Sequence, residues 1–536
     1  MYTYIDNTAS IKSSKQRDVQ SQSEGNIMQT SKFKPVFCLV AINKNFVRNV
    51  AVKSASSEEV IKAVDDTQLK SWQEIPGPSS LPIIGQLHHF LPGGDLSNLS
   101  ASEFGEKMYQ TYGPITKLTT FGSPPVIFLG DPESSAQILR GDNWFPIRTG
   151  FDTLDYYRTK YKKSKAPEYS GLLTDQGEKW KNFRSKVNPA LLQPKTIKLY
   201  RTVLEEVAQD MINRIRSIRG ENNMIKTDFD VEMNLWALES IGVVALGDRL
   251  NCFDPNLPED SPARRLIKVV HEVFILAEEL DFKPSLWRLI STPKFKRAMK
   301  VYEEQENLAK YFVGKAIEKY NTKTVNSDEE KGVLEKLLEI DENIAHIMAS
   351  DMLFAGVDTT SNTITASLYL LAINPEKQEK LRDELNSEQK SRYLRACIKE
   401  SLRILPVVSA NARQTTKEYN ILGYRIPKDM LVVFQHEMMS KMENQYPRPL
   451  EYLPERWLVD KEDPLYYGNA HPFAHNPFGF GVRACIGRRI AELEVETFLA
   501  KMIQNFKVEW FGPPLKIKKT SLNYTAPPFN FVLKDI

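Results

Sequence analysis

Phe478-Gly-Phe-Gly-Val-Arg-Ala-Cys485-Ile-Gly487 is the stretch that decides what this chain folds into. Gly479, Gly481 and Gly487 allow positive φ or close backbone approach. Phe478 and Phe480 supply flat apolar surface, and Arg483 can meet a carboxylate through two parallel hydrogen bonds. Helix-forming sequence follows at once from Arg488 to Met502. A cysteine just ahead of a helix start meets free N–H groups and partial positive charge, which favour the thiolate. Cys485 therefore has the surroundings of a single-thiolate metal ligand in an apolar pocket. A buried free cysteine is the competing account, and it suits Cys38, Cys252 and Cys397.

Two further marks lie upstream. Glu400-Ser-Leu-Arg403 is an i,i+3 Glu–Arg pair, which alone is common on exposed helices. Some 50 residues later comes Pro454-Glu-Arg-Trp457, and about 30 after that the cysteine. The loop resembles the haem-binding loop of cytochrome P450, FxxGxRxCxG, and the other two segments resemble that family's ExxR helix and PERF-type segment. The resemblance runs from about Trp72 to the C-terminus. It implies a mainly α fold with small β-sheets, a single large haem-containing domain, and haem b held by Cys485. It also implies a buried triad of Glu400, Arg403 and Arg456, with Phe478 and Gly487 beside the haem.

A helical pattern spans Glu342 to Ala372, interrupted by Ala355-Gly356-Val357-Asp358-Thr359-Thr360. Gly356 and the hydroxyls after it are expected to loosen the helix locally. The segment is similar to the family's oxygen-activating motif, which makes Asp358 and Thr359 the acid and alcohol that pass protons to dioxygen. A kinked packing site is the plainer account. Trp180-Lys-Asn-Phe-Arg184 resembles the family's WxxxR, which with Arg483 and Arg413 implies partners for the haem propionates.

Composition bounds the rest. The 536 residues are 41% hydrophobic and 26% charged, as in an ordinary folded protein. Four cysteines without a CxxC pair exclude a disulfide scaffold and a zinc ribbon. Against 71 basic residues stand 68 acidic ones, too even a balance for a nucleic-acid binder. Residues 1–57 hold eight basic and three acidic residues, +5, which leaves −2 for the remainder. This Ser-rich, acid-poor segment reads as a mitochondrial transit or leader segment, or else as a solvated tail. Its apolar run, Pro35–Ile42, is too short to span a bilayer. The organisation expected is a leader at 1–57, a polar lead-in at 58–75 and one domain at 76–536. Strands are expected at Ile115–Leu118 and Pro125–Leu129, helices at Thr196–Arg219 and Pro293–Tyr320, and a strand pair within Ser521–Lys534 around Pro527-Pro528.

A monooxygenase of this family needs two electrons from a partner. Ahead of the Pro-Gly-Pro lead-in the chain reads Ser57-Glu-Glu-Val-Ile-Lys-Ala-Val-Asp-Asp66, with no apolar anchor. Arg395 and Lys399 match the basic positions of the mitochondrial branch, and Arg488 and Arg489 its CxGRR. The resemblance then implies an acidic, adrenodoxin-like 2Fe-2S ferredoxin with its reductase, NADPH entering only through them. It also implies a site on the matrix side of the inner membrane, with peripheral membrane association left open. Phe90-Leu-Pro-Gly-Gly, Val187–Lys195 and Glu443-Asn-Gln-Tyr-Pro-Arg-Pro are similar to insect mitochondrial family twelve, linked with oxidation of foreign lipophilic compounds. Steroid hydroxylation of the ecdysteroid type is the alternative; a haem-thiolate isomerase and a non-catalytic haem sensor come after it. Two departures stand out. Leu381–Tyr393 joins two helices with some fifteen residues fewer than the family spends, and Val482 replaces a common proline.

Overall fold

The computed structural model describes residues 69–536, apart from 98, 100, 122, 149, 163–167, 226–227, 323–329, 388–390 and 521. The leader expected at 1–57, Cys38 and most of the lead-in lie outside the described residues. Asp66–Ile536 forms one compact unit.

Ten helices of twelve residues or more occur among the described residues. They are α1 Ala101–Tyr112, α2 Gly177–Leu192, α3 Arg201–Ile218, α4 Phe229–Leu246 and α5 Pro262–Ala277. The second five are α6 Pro293–Thr322, α7 Glu342–Ala372, α8 Pro375–Asn386, α9 Arg392–Ile404 and α10 Arg488–Asn505. The strands are β1 Lys70–Ser71, β2 Ile115–Leu118, β3 Val126–Leu129, β4 Asn411–Gln414, β5 Tyr419–Ile421 and β6 Tyr424–Ile426. β7 Leu431–Phe434, β8 Phe506–Trp510, β9 Lys516–Lys519, β10 Asn523–Ala526 and β11 Phe531–Asp535 complete them. The largest sheet has the order β2-β3-β7-β4; the others have two or three strands. The mainly α class with small sheets is what the structure has.

α7 begins where Asp341 accepts from the Ile344 N–H, a side-chain N-cap, and ends ahead of Pro375. Its 31 residues span about 46 Å. It is buried on most of its surface, as is α4, which lies against it. The expected loosening at Gly356 is absent, because α7 is continuous through it. Gly356 answers a packing need instead: a Cβ there would sit 2.6 Å from Ile241 Cγ1 on α4.

Two other expectations need correcting. Thr196–Arg219 is two helices, Pro194–Lys198 and α3. The C-terminal strands do not pair with each other: β10 pairs with β9 and β11 with β8, both antiparallel. The end of the polar lead-in is joined to the fold, since β1 runs parallel to β6 and Ile75 is buried.

The short connection between α8 and α9 has a built end. The Glu384 carboxylate accepts from the N–H groups of Arg392 (3.0 Å), Tyr393 (2.7 Å) and Leu394 (3.0 Å). An anion at a helix start satisfies amides that otherwise lack partners.

Candidate functional site

The cysteine loop is shaped by its glycines. Gly479 and Gly481 have φ of 72° and 69°, in the left-handed region that suits a residue without Cβ. The loop closes through Cys485 N–H to the Phe478 carbonyl (2.8 Å) and Ala484 N–H to that of Gly481 (3.0 Å). Gly487 is the N-cap of α10. Cys485 is exposed, with Arg184, Arg148 and Arg488 close enough to act on its charge. Desolvation by the surrounding protein pushes its thiol up, while the Gly487 amide and the charges of Arg184, Arg148 and Arg488 pull it down.

Arginines gather around this cysteine. Arg483 donates to the carbonyls of Pro146 (3.2 Å), Leu172 (3.3 Å) and Asp175 (3.1 Å) and to Gln176 Oε1 (2.7 Å). Its guanidinium lies 3.9 Å from the Trp180 ring centroid, with that of Arg184 at 5.8 Å. Arg184 donates to Asn188 (2.7 Å) and the Ala484 carbonyl (3.0 Å), which ties α2 to the loop. Arg413, on β4, donates to Asp142 Oδ2 (2.8 Å) and the Phe480 carbonyl (3.0 Å). Arg148, marked by no motif, joins them. Burial, together with Arg148, Arg413 and Arg184, pushes Arg483 down to about 8. Burial and Arg413 likewise push Arg148 down to about 10. Among the described residues, Arg413 is the one of these four with a salt-bridged carboxylate, Asp142 at 2.8 Å. The donor set is short of anions, and the two carboxylates of a haem beside an accessible cysteine fit it.

The triad is assembled and fully buried. Glu400 accepts twice from Arg403 (3.0 and 2.8 Å), once from Arg456 (2.9 Å) and once from Trp457 Nε1 (2.9 Å). The Leu453 N–H adds a fifth bond at 3.2 Å. α9 is thereby locked to the Pro454–Trp457 turn.

On α7, Ala355 is exposed in the middle of the otherwise buried helix, and Thr359 is half-buried one turn on. The Thr359 hydroxyl donates to the Ala355 carbonyl (2.7 Å). Asp358 is buried; its Oδ2 accepts from Tyr524 Oη (2.8 Å) and lies 3.4 Å from His271 Nδ1. Thr360 meets Glu494 of α10 at 3.5 Å, and burial pushes that carboxyl up to about 8. This contact connects the α7 segment to the helix that starts behind Cys485. Nearby, the rings of Phe151, Phe274 and Phe354 form an aromatic group, Phe274 and Phe354 stacked at 4.7 Å.

The four basic residues expected to dock a partner carry a mixed face. Arg395 pairs with Glu496 and Arg488 with Glu492, both at 2.9 Å. Lys399 lies 5.6 Å from the Trp457 ring, and burial lowers its ammonium. Arg489 is exposed. Arg148, Tyr524 and His271 escape a reading of the sequence, because each is a single residue outside any spaced pattern. Cys252 and Cys397 are buried free thiols, as expected.

Known proteins resemble this chain over most of its length. The family model described as Cytochrome P450 matches residues 75–533. Cytochrome P450 CYP12A2 of Musca domestica is 39% identical over 497 residues, covering 87% of this chain and 92% of that one. Cytochrome P450 12a5 of Drosophila melanogaster, named as mitochondrial, is 36% identical, covering 88% and 92%. Cytochrome P450 12b2 of the same fly, also named as mitochondrial, is 33% identical, covering 92% and 96%.

Proposed function

The chain belongs to the cytochrome P450 family, and from that premise we propose a mitochondrial-type haem-thiolate monooxygenase that inserts one oxygen atom of O2 into a lipophilic small molecule. The observation that carries the reading is Cys485: an exposed thiol at a helix start, among arginines short of anions. Haem bound there through the thiolate supplies oxygen activation, since such a ligand favours O–O cleavage.

The chain's own residues do the rest. Arg483, Arg184 and Arg148 would hold the propionates, with the Trp180 ring centroid 3.9 Å from the Arg483 guanidinium and 5.8 Å from that of Arg184. Arg413 fixes the loop to β4 from its bond with Phe480 and shares its charge with Asp142. Phe478 and Gly487 line the cysteine's side. Asp358 holds and moves protons toward Thr359. The triad of Glu400, Arg403 and Arg456 keeps α9 in place.

Arg395, Lys399, Arg488 and Arg489 dock an acidic 2Fe-2S ferredoxin. Glu492 and Glu496 neutralise part of this charge, so steering is local and weakens with salt. Relatives named as mitochondrial support a mitochondrial location, and the matrix side of the inner membrane is our own placement within it. Among the described residues no helix is long and apolar enough to cross a membrane. Of the substrate classes, foreign lipophilic compounds are favoured over ecdysteroids, on the resemblance of Phe90–Gly94, Val187–Lys195 and Glu443–Pro449 to family twelve.

The test is spectral and chemical. Reduced protein under carbon monoxide is expected to give a thiolate-type Soret band that Cys485→Ser abolishes. Ferredoxin, reductase and NADPH should then support product formation, which excludes an isomerase and a sensor. A band that survives Cys485→Ser refutes the ligand assignment.

A further inference from the structure

We propose that His271 is a positioning residue that feeds protons from solvent to Asp358, an inference that rests on the monooxygenase reading above. Asp358 is buried, and its Oδ1 has no hydrogen-bond partner. Its Oδ2 faces two side chains, Tyr524 Oη at 2.8 Å and His271 Nδ1 at 3.4 Å. They differ in access. The Tyr524 side chain is buried, whereas that of His271 is 42% exposed. They differ in chemistry as well. Burial and the Asp358 charge push the Tyr524 hydroxyl far up, so it donates a hydrogen bond and keeps its proton. An imidazole, by contrast, takes up a proton at one nitrogen and gives one up at the other.

Packing holds the imidazole in place. The His271 and Tyr524 rings meet edge to face at 4.7 Å. One turn along both helices, Phe274 of α5 stacks on Phe354 of α7 at 4.7 Å, which fixes one helix against the other. Other charged groups near the imidazole are Asp230 of α4, and Lys268 and Glu272 of α5 itself. Glu272 is occupied by Arg297 of α6, at 2.6 and 2.7 Å. Asp358 is the buried carboxylate in contact with the imidazole.

Each turnover takes O2, two electrons from the ferredoxin and two protons; one oxygen atom enters a substrate C–H bond and the other leaves as water. In the feed, the exposed ring nitrogen of His271 first takes a proton from solvent; the Nδ1–H bond then breaks, an O–H bond forms on Asp358 Oδ2, and the electron pair stays on Nδ1. Proton exchange with solvent, off the exposed nitrogen and onto Nδ1, restores the starting tautomer. Asp358 passes its own proton on toward the hydroxyl of the next residue, Thr359, which donates to the Ala355 carbonyl.

The experiment uses the full chain reconstituted with ferredoxin, reductase and NADPH, with 7-ethoxycoumarin as the lipophilic probe. Product per NADPH consumed, peroxide and the solvent deuterium isotope effect are read for wild type, His271→Ala, His271→Gln, Asp358→Asn and the His271→Ala/Asp358→Asn double variant. Melting midpoints and carbon monoxide spectra are read beside them. Both His271 variants are expected to lose about tenfold or more in product yield, with more peroxide and a larger isotope effect. Melting and spectra should stay at wild-type values, and the double variant should fall no lower than Asp358→Asn. Restoration by glutamine, which bonds but cannot relay, overturns the feed, as do additive losses in the double variant. Wild-type product with His271→Ala unchanged overturns this inference alone. Wild type without product overturns the monooxygenase reading, and this one with it.

Discussion

Glu400→Gln isolates the charge at the centre of the buried triad without changing its size. Glu400 accepts five hydrogen bonds, three of them from two guanidinium groups that have no exposure. Glutamine removes the negative charge and turns one acceptor into a donor that faces donors. Breaking a buried ion pair from one side costs about 3–5 kcal/mol, because the remaining charges are left uncompensated. With a urea slope of about 3 kcal/mol/M, the unfolding midpoint should fall by about 1 to 1.7 M. Tryptophan fluorescence reports the transition, and Trp457, which donates to Glu400 at 2.9 Å, gives a local signal. Glu496→Gln is the matched control. Its partner Arg395 is 60% exposed, so that pair contributes less than about 1 kcal/mol, or about 0.3 M. A Glu400→Gln midpoint no lower than that of the control would refute the reasoning.

Two further outcomes follow from packing and from titration. Gly356→Ala places a methyl 2.6 Å from Ile241 Cγ1, so overpacking of about 1–3 kcal/mol outweighs the gain in helix propensity of about 1. Thermal melts should show a loss that Ile241→Ala in the same chain relieves. Glu494 is held near 8 by burial, above its unfolded value of 4.5. The folded state therefore binds the extra proton between those values, and this contribution to stability declines as pH rises from 4.5 to 8. Glu494→Gln removes the decline. The variant's stability relative to wild type should climb by about 1.4 kcal/mol per pH unit across that window and stay flat above it, as denaturant melts at several pH values can check.

What the sequence made legible was whatever has a local or spaced signature. α7 runs from Glu342 to Ala372, as its pattern says, because an aspartate cap and a following proline punctuate it. The triad is legible because Glu400, Arg403 and Arg456 sit in motifs whose separations match a known family. The C-terminal strands are not, because Ser521–Lys534 carries hairpin-like punctuation while both strands find older partners upstream, in Lys516–Lys519 and Phe506–Trp510. Gly356 shows how a right position can have the wrong cause: a glycine in a helix looks like a weak point until the neighbouring helix is seen. Arg148, His271 and Tyr524 matter through meetings between distant segments, for which a chain of letters has no local sign.

β1 has a consequence for how the chain is trimmed. Lys70 and Ser71 pair with Tyr424 and Arg425, Ser71 and Glu74 cap one another, and Ile75 is buried. A peptidase that cuts upstream of Lys70 leaves this seam whole, whereas a cut after Lys70 has to open it first. Resistance to cutting at this point is then set by what the folded domain holds in place. Under a lysine-directed protease the trimming should halt before the seam for as long as the domain stays closed, so the size of the halted fragment becomes a gauge of folding.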